Sequence, residues 1–277
     1  MKRIQSSTAV TTPPAVPALS GNLGYFTEGD PAGGIPATNV PAWWMNGVQD
    51  ELVGLIEAAG LFPLASNTAQ VLAALRLMFG ARLSVFLTSG AAVVPDGKTQ
   101  GLVLLWAPGG GGGGSLGTGS AGSAGGAGEC RVGIVNGLTP GQSIPVTVPG
   151  GGSGGAGTPS NGGAGGNASF GAYLTAIGGG AGLAGNNTIQ TGGAGAGGTG
   201  GSGGQLVIAG RVGGLGINYG GVPGGGVGGS AFMASTPGPS VNGAGAGGVF
   251  PGGGGNGGAG GFSGGAGANG LCLVLWI

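Results

Sequence analysis

Three serines sit in the Gly-x-Ser-x-Gly pattern that can hold a nucleophile on a sharp turn: Ser153 within 151–155, Ser202 within 200–204 and Ser263 within 261–265. The chemistry would be acyl transfer, which needs a base beside the hydroxyl, and the chain has no histidine to serve as one. In so glycine-rich a chain such matches arise by chance. Residues 92–99, ending Pro95-Asp96-Gly97-Lys98-Thr99, mimic a relaxed phosphate-binding loop, but a strand pattern follows Thr99 where a helix N-terminus would have to receive the phosphate. The stretch reads as a β-turn. Asp50, Glu51 and Glu57 fall on a polar helix face, and no carboxylates cluster for acid–base work or metal binding. Cys130 and Cys272 are too few for a disulfide scaffold and read as small buried hydrophobes. No catalytic, metal or cofactor site is expected, and the chain is read as a non-enzyme. A basic stripe for nucleic acid is also missing.

The elements around these residues are dominated by glycine, which makes up 80 of 277 residues and is concentrated between Gly109 and Gly270. It recurs by threes at Gly119, Gly122, Gly125, Gly128, at Gly192, Gly195, Gly198, Gly201, Gly204, and from Gly252 through Gly255, Gly258, Gly261, Gly264 and Gly267 to Gly270. A threefold period belongs to left-handed polyproline-II-type helices, in which only glycine lets neighbouring backbones touch. Collagen is excluded, because proline is nearly absent from these runs and the register breaks repeatedly. What remains is a bundle of short extended runs whose amides and carbonyls must pair between runs. A disordered linker is disfavoured: mean hydropathy is +0.37, charged residues are 5% and net charge is zero. Beyond Lys98 the only charges are Glu129, Arg131 and Arg211.

Met1-Lys2-Arg3 precedes the polar Gln5-Ser6-Ser7-Thr8, so no signal-peptide core is expected, and no apolar stretch reaches membrane-spanning length. Ile4 to Asn39, with Pro13, Pro14, Pro17, Pro31 and Pro36, reads as an extended arm that lies along a partner. Helical spacing then places Trp44, Val48, Leu52, Leu55, Ile56 and Ala59 on one stripe, with Pro41 near the first turn and Gly60 as the stop. A second helix starts near Asn67, with Gln70 in a capping-box-like arrangement, and carries Val71, Leu72, Leu75, Met78 and Phe79 up to Gly80. Two such short helices bury too little to stand alone. Pairing between identical subunits is expected, with Trp44, Val48, Leu52, Leu55, Ile56 and Leu75 as contacts. Strands are expected at 85–87, 92–94 and 102–106, a hairpin over 130–148, and a final strand from Leu271 to Ile277 that pairs with the one ending at Trp106.

The order Tyr25-Phe26-Thr27-Glu28-Gly29-Asp30-Pro31, Ile35-Pro36-Ala37-Thr38, Trp44-Met45-Asn46-Gly47-Val48-Gln49-Asp50-Glu51-Leu52, Ile56-Glu57-Ala58-Ala59-Gly60-Leu61 and Asn67-Thr68-Ala69-Gln70-Val71-Leu72-Ala73-Ala74-Leu75 resembles the N-terminal region of bacteriophage and prophage tail fibres. The strand into Trp106, the Thr139-Pro140-Gly141-Gln142 turn, Ser169-Phe170-Gly171-Ala172 and the final Gly270 to Trp276 strand are similar to the glycine-rich tip of such fibres. The end departs from the family's usual acidic-aromatic pair: Leu275-Trp276-Ile277 has no acid. The resemblance implies a mainly β and irregular homotrimeric fibre with a polyglycine-II-type tip. It divides the chain into a virion-attachment arm (1–38), a helical pair for oligomerisation (39–80), a β-strand neck (81–108) and a glycine-rich tip (109–277). The arm would join a tail or baseplate protein, and the tip would touch a host glycan or outer-membrane protein. The fibre would be assembled in the host cytoplasm and reside in the virion. Receptor-binding loops would be the non-glycine islands Leu206 to Tyr219, Ala231 to Asn242 and Val249-Phe250-Pro251, with Arg211, Asn218, Tyr219, Phe232, Asn242 and Phe250 as contact residues. A structural or ice-binding polyglycine bundle is the alternative.

Overall fold

The structure is a computed structural model that describes residues 3–4, 6–15, 24–79, 82–185 and 193–277. Pro17 of the arm, Gly80 after the second helix and Gly192 of the glycine series lie outside the described residues, as does the side chain of Phe79. The chain forms two compact units, Met1–Gly80 and Ala81–Ile277. Mainly β architecture with two helices is what the described residues adopt.

In the first unit, Pro41 precedes α1 (Ala42–Ala58) in extended conformation, and its missing amide costs nothing at a helix start. Gly60, at φ 75°, takes the left-handed turn that ends the helix. α2 (Gln70–Phe79) is preceded by Asn67, whose side-chain oxygen accepts from the Ala69 amide at 2.9 Å. The Gln70 side chain reaches back over the connection, accepting from Leu64 N and donating to Phe62 O. Val53 and Ile56 of α1 and Ala74 of α2 are buried. Ile56 is therefore used inside its own unit, which removes it from the expected subunit contacts. Val53, which the apolar stripe omits, shares that role.

The second unit holds the strands. β1 (Arg82–Phe86), β11 (Leu271–Trp276), β3 (Gly101–Trp106), β4 (Cys130–Val135) and β8 (Leu206–Ile208) form one antiparallel sheet in the order β1-β11-β3-β4-β8. A second sheet has the order β2-β5-β6-β7, from β2 (Gly90–Val93), β5 (Ser143–Thr147), β6 (Ala168–Phe170) and β7 (Leu174–Ala176). As expected, the C-terminal strand pairs with the strand ending at Trp106, Leu271 facing Trp106. The expected hairpin over 130–148 is instead a crossover, since β4 pairs with β3 and β8 while β5 pairs with β2 and β6. The reason is packing: Ile144 and Val146 are needed on the second sheet, opposite Val103, Leu105, Val274 and Trp276 of the first, with Phe170 and Leu174 completing the core.

Within this unit, the described residues leave the other face of the first sheet without such cover over most of its area. Registers put Leu83, Leu275, Leu102 and Ile134 in one row across it, and Val85, Leu273, Leu104, Val132 and Leu206 in the next. A third row, Leu271, Trp106, Cys130 and Ile208, is capped by Phe232, which stacks on Trp106 at 6.4 Å and accepts the indole N–H through its carbonyl.

Beyond Trp106 and back from Leu271 the chain becomes glycine runs that connect by a different rule. In the run 108–116, Gly109, Gly112 and Ser115 donate to Ala268, Gly265 and Phe262 of one neighbour. Gly110 and Gly113 donate to Gly126 and Ser123 of a second, and Gly111 and Gly114 to Gly163 and Ser160 of a third, all at 2.8–3.1 Å. The carbonyls repeat the pattern toward three more runs: Gly109 and Gly112 accept from Gly152 and Gly155, Gly110 and Gly113 from Gly255 and Gly258, and Gly111 and Gly114 from Gly182 and Gly185. The partner thus changes with every residue and returns every third. From Gly109 to Gly114 such a run has no room for side chains, and a Cβ on Gly110 would overlap the Gly180 carbonyl. The runs 120–128 and 252–259 are buried in the same way.

One position beside 252–259 is filled differently. There Asn256, fully buried, donates through its amide to Gly238 O and accepts from Gly228 N at 2.7 Å. Gly225 N also donates to Ser240 O at 2.8 Å. The segment 231–241 therefore travels the length of the bundle as a non-glycine stave, and is not the loop expected from its sequence.

Where the runs meet the sheets, Glu129 and Arg131 form a buried ion pair at 2.9 Å. Glu129 also accepts from the amides of Ile177 and Gly201, and Arg131 donates to the carbonyls of Gly201 and Gly203. Both charges are thereby saturated, the condition under which a buried pair is tolerated.

Candidate functional site at the distal turns

Glycine runs leave the sheets at Ala107 and Gly270 and turn back at their far ends. β1 begins at Arg82, opposite Trp276, so the chain enters this unit at the edge of the sheet farthest from the bundle. The distal turns are at the other extreme.

Four described turns are joined there. The hairpin of β9 (Ile217–Tyr219) and β10 (Val222–Gly224) turns through Gly220 and Gly221, at φ 59° and 87°, values that favour glycine. Asn218 clamps it, donating from Nδ2 to Gly119 O at 2.7 Å and accepting from Gly221 N at 3.1 Å. This ties the hairpin to the 117–119 turn. Gly224 bridges to Val241, and Asn242 N donates to Pro223 O, adding the 241–243 turn, where Asn242 takes φ 44°. Gly260 N donates to Ser120 O and Gly261 N to Ser115 Oγ, adding the 260–262 turn.

Asn218 is thus spent inside the turns, whereas Thr118 and Asn242 stay exposed beside large apolar residues that face outward. Tyr219 is 87% exposed. Leu116, Ile217, Val222, Val241 and Phe262 are also exposed around it. These turns contain no charged residue. The arrangement offers an aromatic ring and aliphatic rims with backbone amides and carbonyls between them, and no acid, base or nucleophile. Among the described residues there is no group of His, Cys, Asp or Glu able to hold a metal ion. Cys130 and Cys272 are free and buried, and burial pushes both thiols up to about 12, with the Glu129 carboxylate contributing at Cys130.

The contact residues expected from sequence do not form one site. Asn218, Tyr219 and Asn242 reach the distal end, where Asn218 is a clamp and Tyr219 and Asn242 are open. Arg211, Phe232 and Phe250 lie at the sheet end: Arg211 O accepts from Ala127 N, Phe232 stacks on Trp106, and Phe250 precedes the run that starts at Gly252. The island Leu206 to Tyr219 proves to be three things in succession: strand β8, a glycine run bonded to 120–128, and strand β9. Sequence reasoning missed Leu116, Val222 and Phe262 as surface residues. Their signal is there: each is a lone large apolar residue beside a break in the threefold spacing.

In the first unit, Trp44, Val48 and Leu75 remain exposed, with Leu52 and Leu55 half-buried, and Trp44 meets Phe26 edge to face at 5.1 Å. The arm touches α1 where Arg3 pairs with Asp50 and Ile4 N donates to Gln49. No described helix is long and apolar enough to cross a membrane. No protein-family model matches the chain, and a search of curated proteins finds no match.

Proposed function

We propose that this chain is a non-enzymatic phage tail fibre or receptor-binding protein. Its first unit attaches to the tail or baseplate of a virion, its copies assemble into a homotrimer, and its second unit is a polyglycine-II-type bundle that presents the distal turns to a host cell-surface glycan or outer-membrane protein. The observation that carries the reading is the exposed, charge-free cluster around Tyr219, at the end of the unit opposite the chain's entry. The hydrogen-bond pattern of the 108–116 run, returning to each neighbour every third residue, supports the polyglycine-II assignment, because that helix has three residues per turn and no internal hydrogen bonds. A rigid bundle suits recognition because turns held at both ends lose little freedom on binding.

The test is binding of the full-length chain to a panel of candidate bacterial hosts, beside Tyr219→Ala and Phe262→Ala. Both residues are open, so the variants keep the bundle, and loss of an aromatic anchor is expected to weaken host-restricted binding by about tenfold or more. Replacing 231–242 would be a poor test, since it removes the partner of Asn256. If the folded chain bound no bacterium in a panel containing its host, a structural role would lead instead.

A further inference from the structure

We infer that the outer face of the five-stranded sheet is where copies of this chain associate, the occupant of that face being a second copy. Antiparallel sheets with one face on a core normally place polar residues on the other. Here the two uncovered rows, running from Leu83 to Ile134 and from Val85 to Leu206, contain nothing but Leu, Ile and Val. Leu83, Val85, Ile134 and Leu206 are each about half open or more, at 61%, 52%, 45% and 51%, and the side chains between them are partly open. Together with Leu87, 57% open at the end of β1, they present on the order of 600 Å² of apolar surface, the upper end of what a monomer leaves in one patch. Two such faces reach on the order of 1,200 Å², the size of a specific interface.

Identity of the partner follows from what the rows lack. A different protein would be selected by charges or hydrogen-bonding side chains, and the rows carry neither. Uniform aliphatic rows can pack on the same rows of other copies, three of them around a threefold axis included, and sheets pack face to face at about 10 Å with such side chains interleaved. The expected contacts on α1 and α2 then cease to be the sole basis of assembly. This inference rests on the self-association part of the proposed function and not on receptor binding, so a monomeric chain that still bound its host would overturn this one and leave the other standing.

The experiment is mass measurement by light scattering on the full-length chain at micromolar concentration, with an apolar dye as a second readout. Wild type is expected at a multiple of 25.3 kDa. Leu83→Lys/Val85→Lys, at one side of the sheet, and Ile134→Lys/Leu206→Lys, at the other, are expected to fall to 25.3 kDa with unchanged circular dichroism and raised dye fluorescence. Wild type alone, diluted through dissociation, should show the same rise in dye binding, which keeps the test decisive if neither variant folds. A monomeric wild type, folded variants that keep the wild-type mass, or dissociation without dye binding would each overturn the inference. A monomer that binds no dye would show that the chain covers its own sheet.

Discussion

Glycine in this chain serves two opposite purposes, and substitution separates them. At Gly110 a Cβ would overlap the Gly180 carbonyl, on backbone fixed from six sides, so Gly110→Ala is expected to cost about 3 kcal/mol or more and to lower the melting temperature markedly. At Gly54, inside α1, nothing lies within 4 Å of the added carbon, and Gly54→Ala is expected to stabilise the helix by about 0.5–1 kcal/mol. Calorimetry on the two variants reads both signs. The buried thiols add a pH dependence. Cys130 and Cys272 hold their protons up to about 12 when folded, against an ordinary value of 9.0 when unfolded. Above pH 9 the unfolded chain therefore binds fewer protons, and stability is lost as pH rises toward 12, on the order of 1 kcal/mol per pH unit for each thiol. Denaturant midpoints measured from pH 8 to 11 should fall, and a Cys130→Ala/Cys272→Ala variant should fall less.

At the level of elements, both helices and the longer strands were legible from their apolar spacing, whereas the three-residue strands β6 to β10 were not, because three residues carry no period. Leu102 to Trp106 and Leu271 to Trp276 are apolar runs that each follow a glycine, and their pairing was inferable because an uncharged apolar strand must be covered. What was not legible is partnership. Ser143 to Val148 looks like the return strand of a hairpin from Cys130, yet the second sheet claims it, a choice made by side chains from Phe170 and Leu174 far along the chain. The island 231–242 misleads for a related reason: nothing local announces that Asn256 supplies the hydrogen bonds a glycine run would otherwise have made. Tyr219 was legible as an exposed aromatic, whereas Arg211 and Phe250 share its composition signal and lie at the other end. Because β11 sits between β1 and β3, removing residues 271–277 is expected to abolish the folded second unit, seen as loss of its β signal in circular dichroism.

For the whole molecule, charge is nearly confined to the first hundred residues, and the distal turns have none. Host binding through those turns is therefore expected to change less than about twofold between low and 0.5 M salt, since screening acts only on charges. A steep salt dependence would place the binding surface elsewhere. The threefold bonding of the 108–116 run carries a further consequence, for the time at which the fold can form. Its partners include residues 123–126 but also 255–258 and 262–268. A ribosome adding about 5–20 residues per second needs on the order of 10 s to reach those partners after the run has emerged. Throughout that interval the innermost segment of the bundle is complete as sequence and has no lattice to enter, so the second unit folds only after its last strand has emerged.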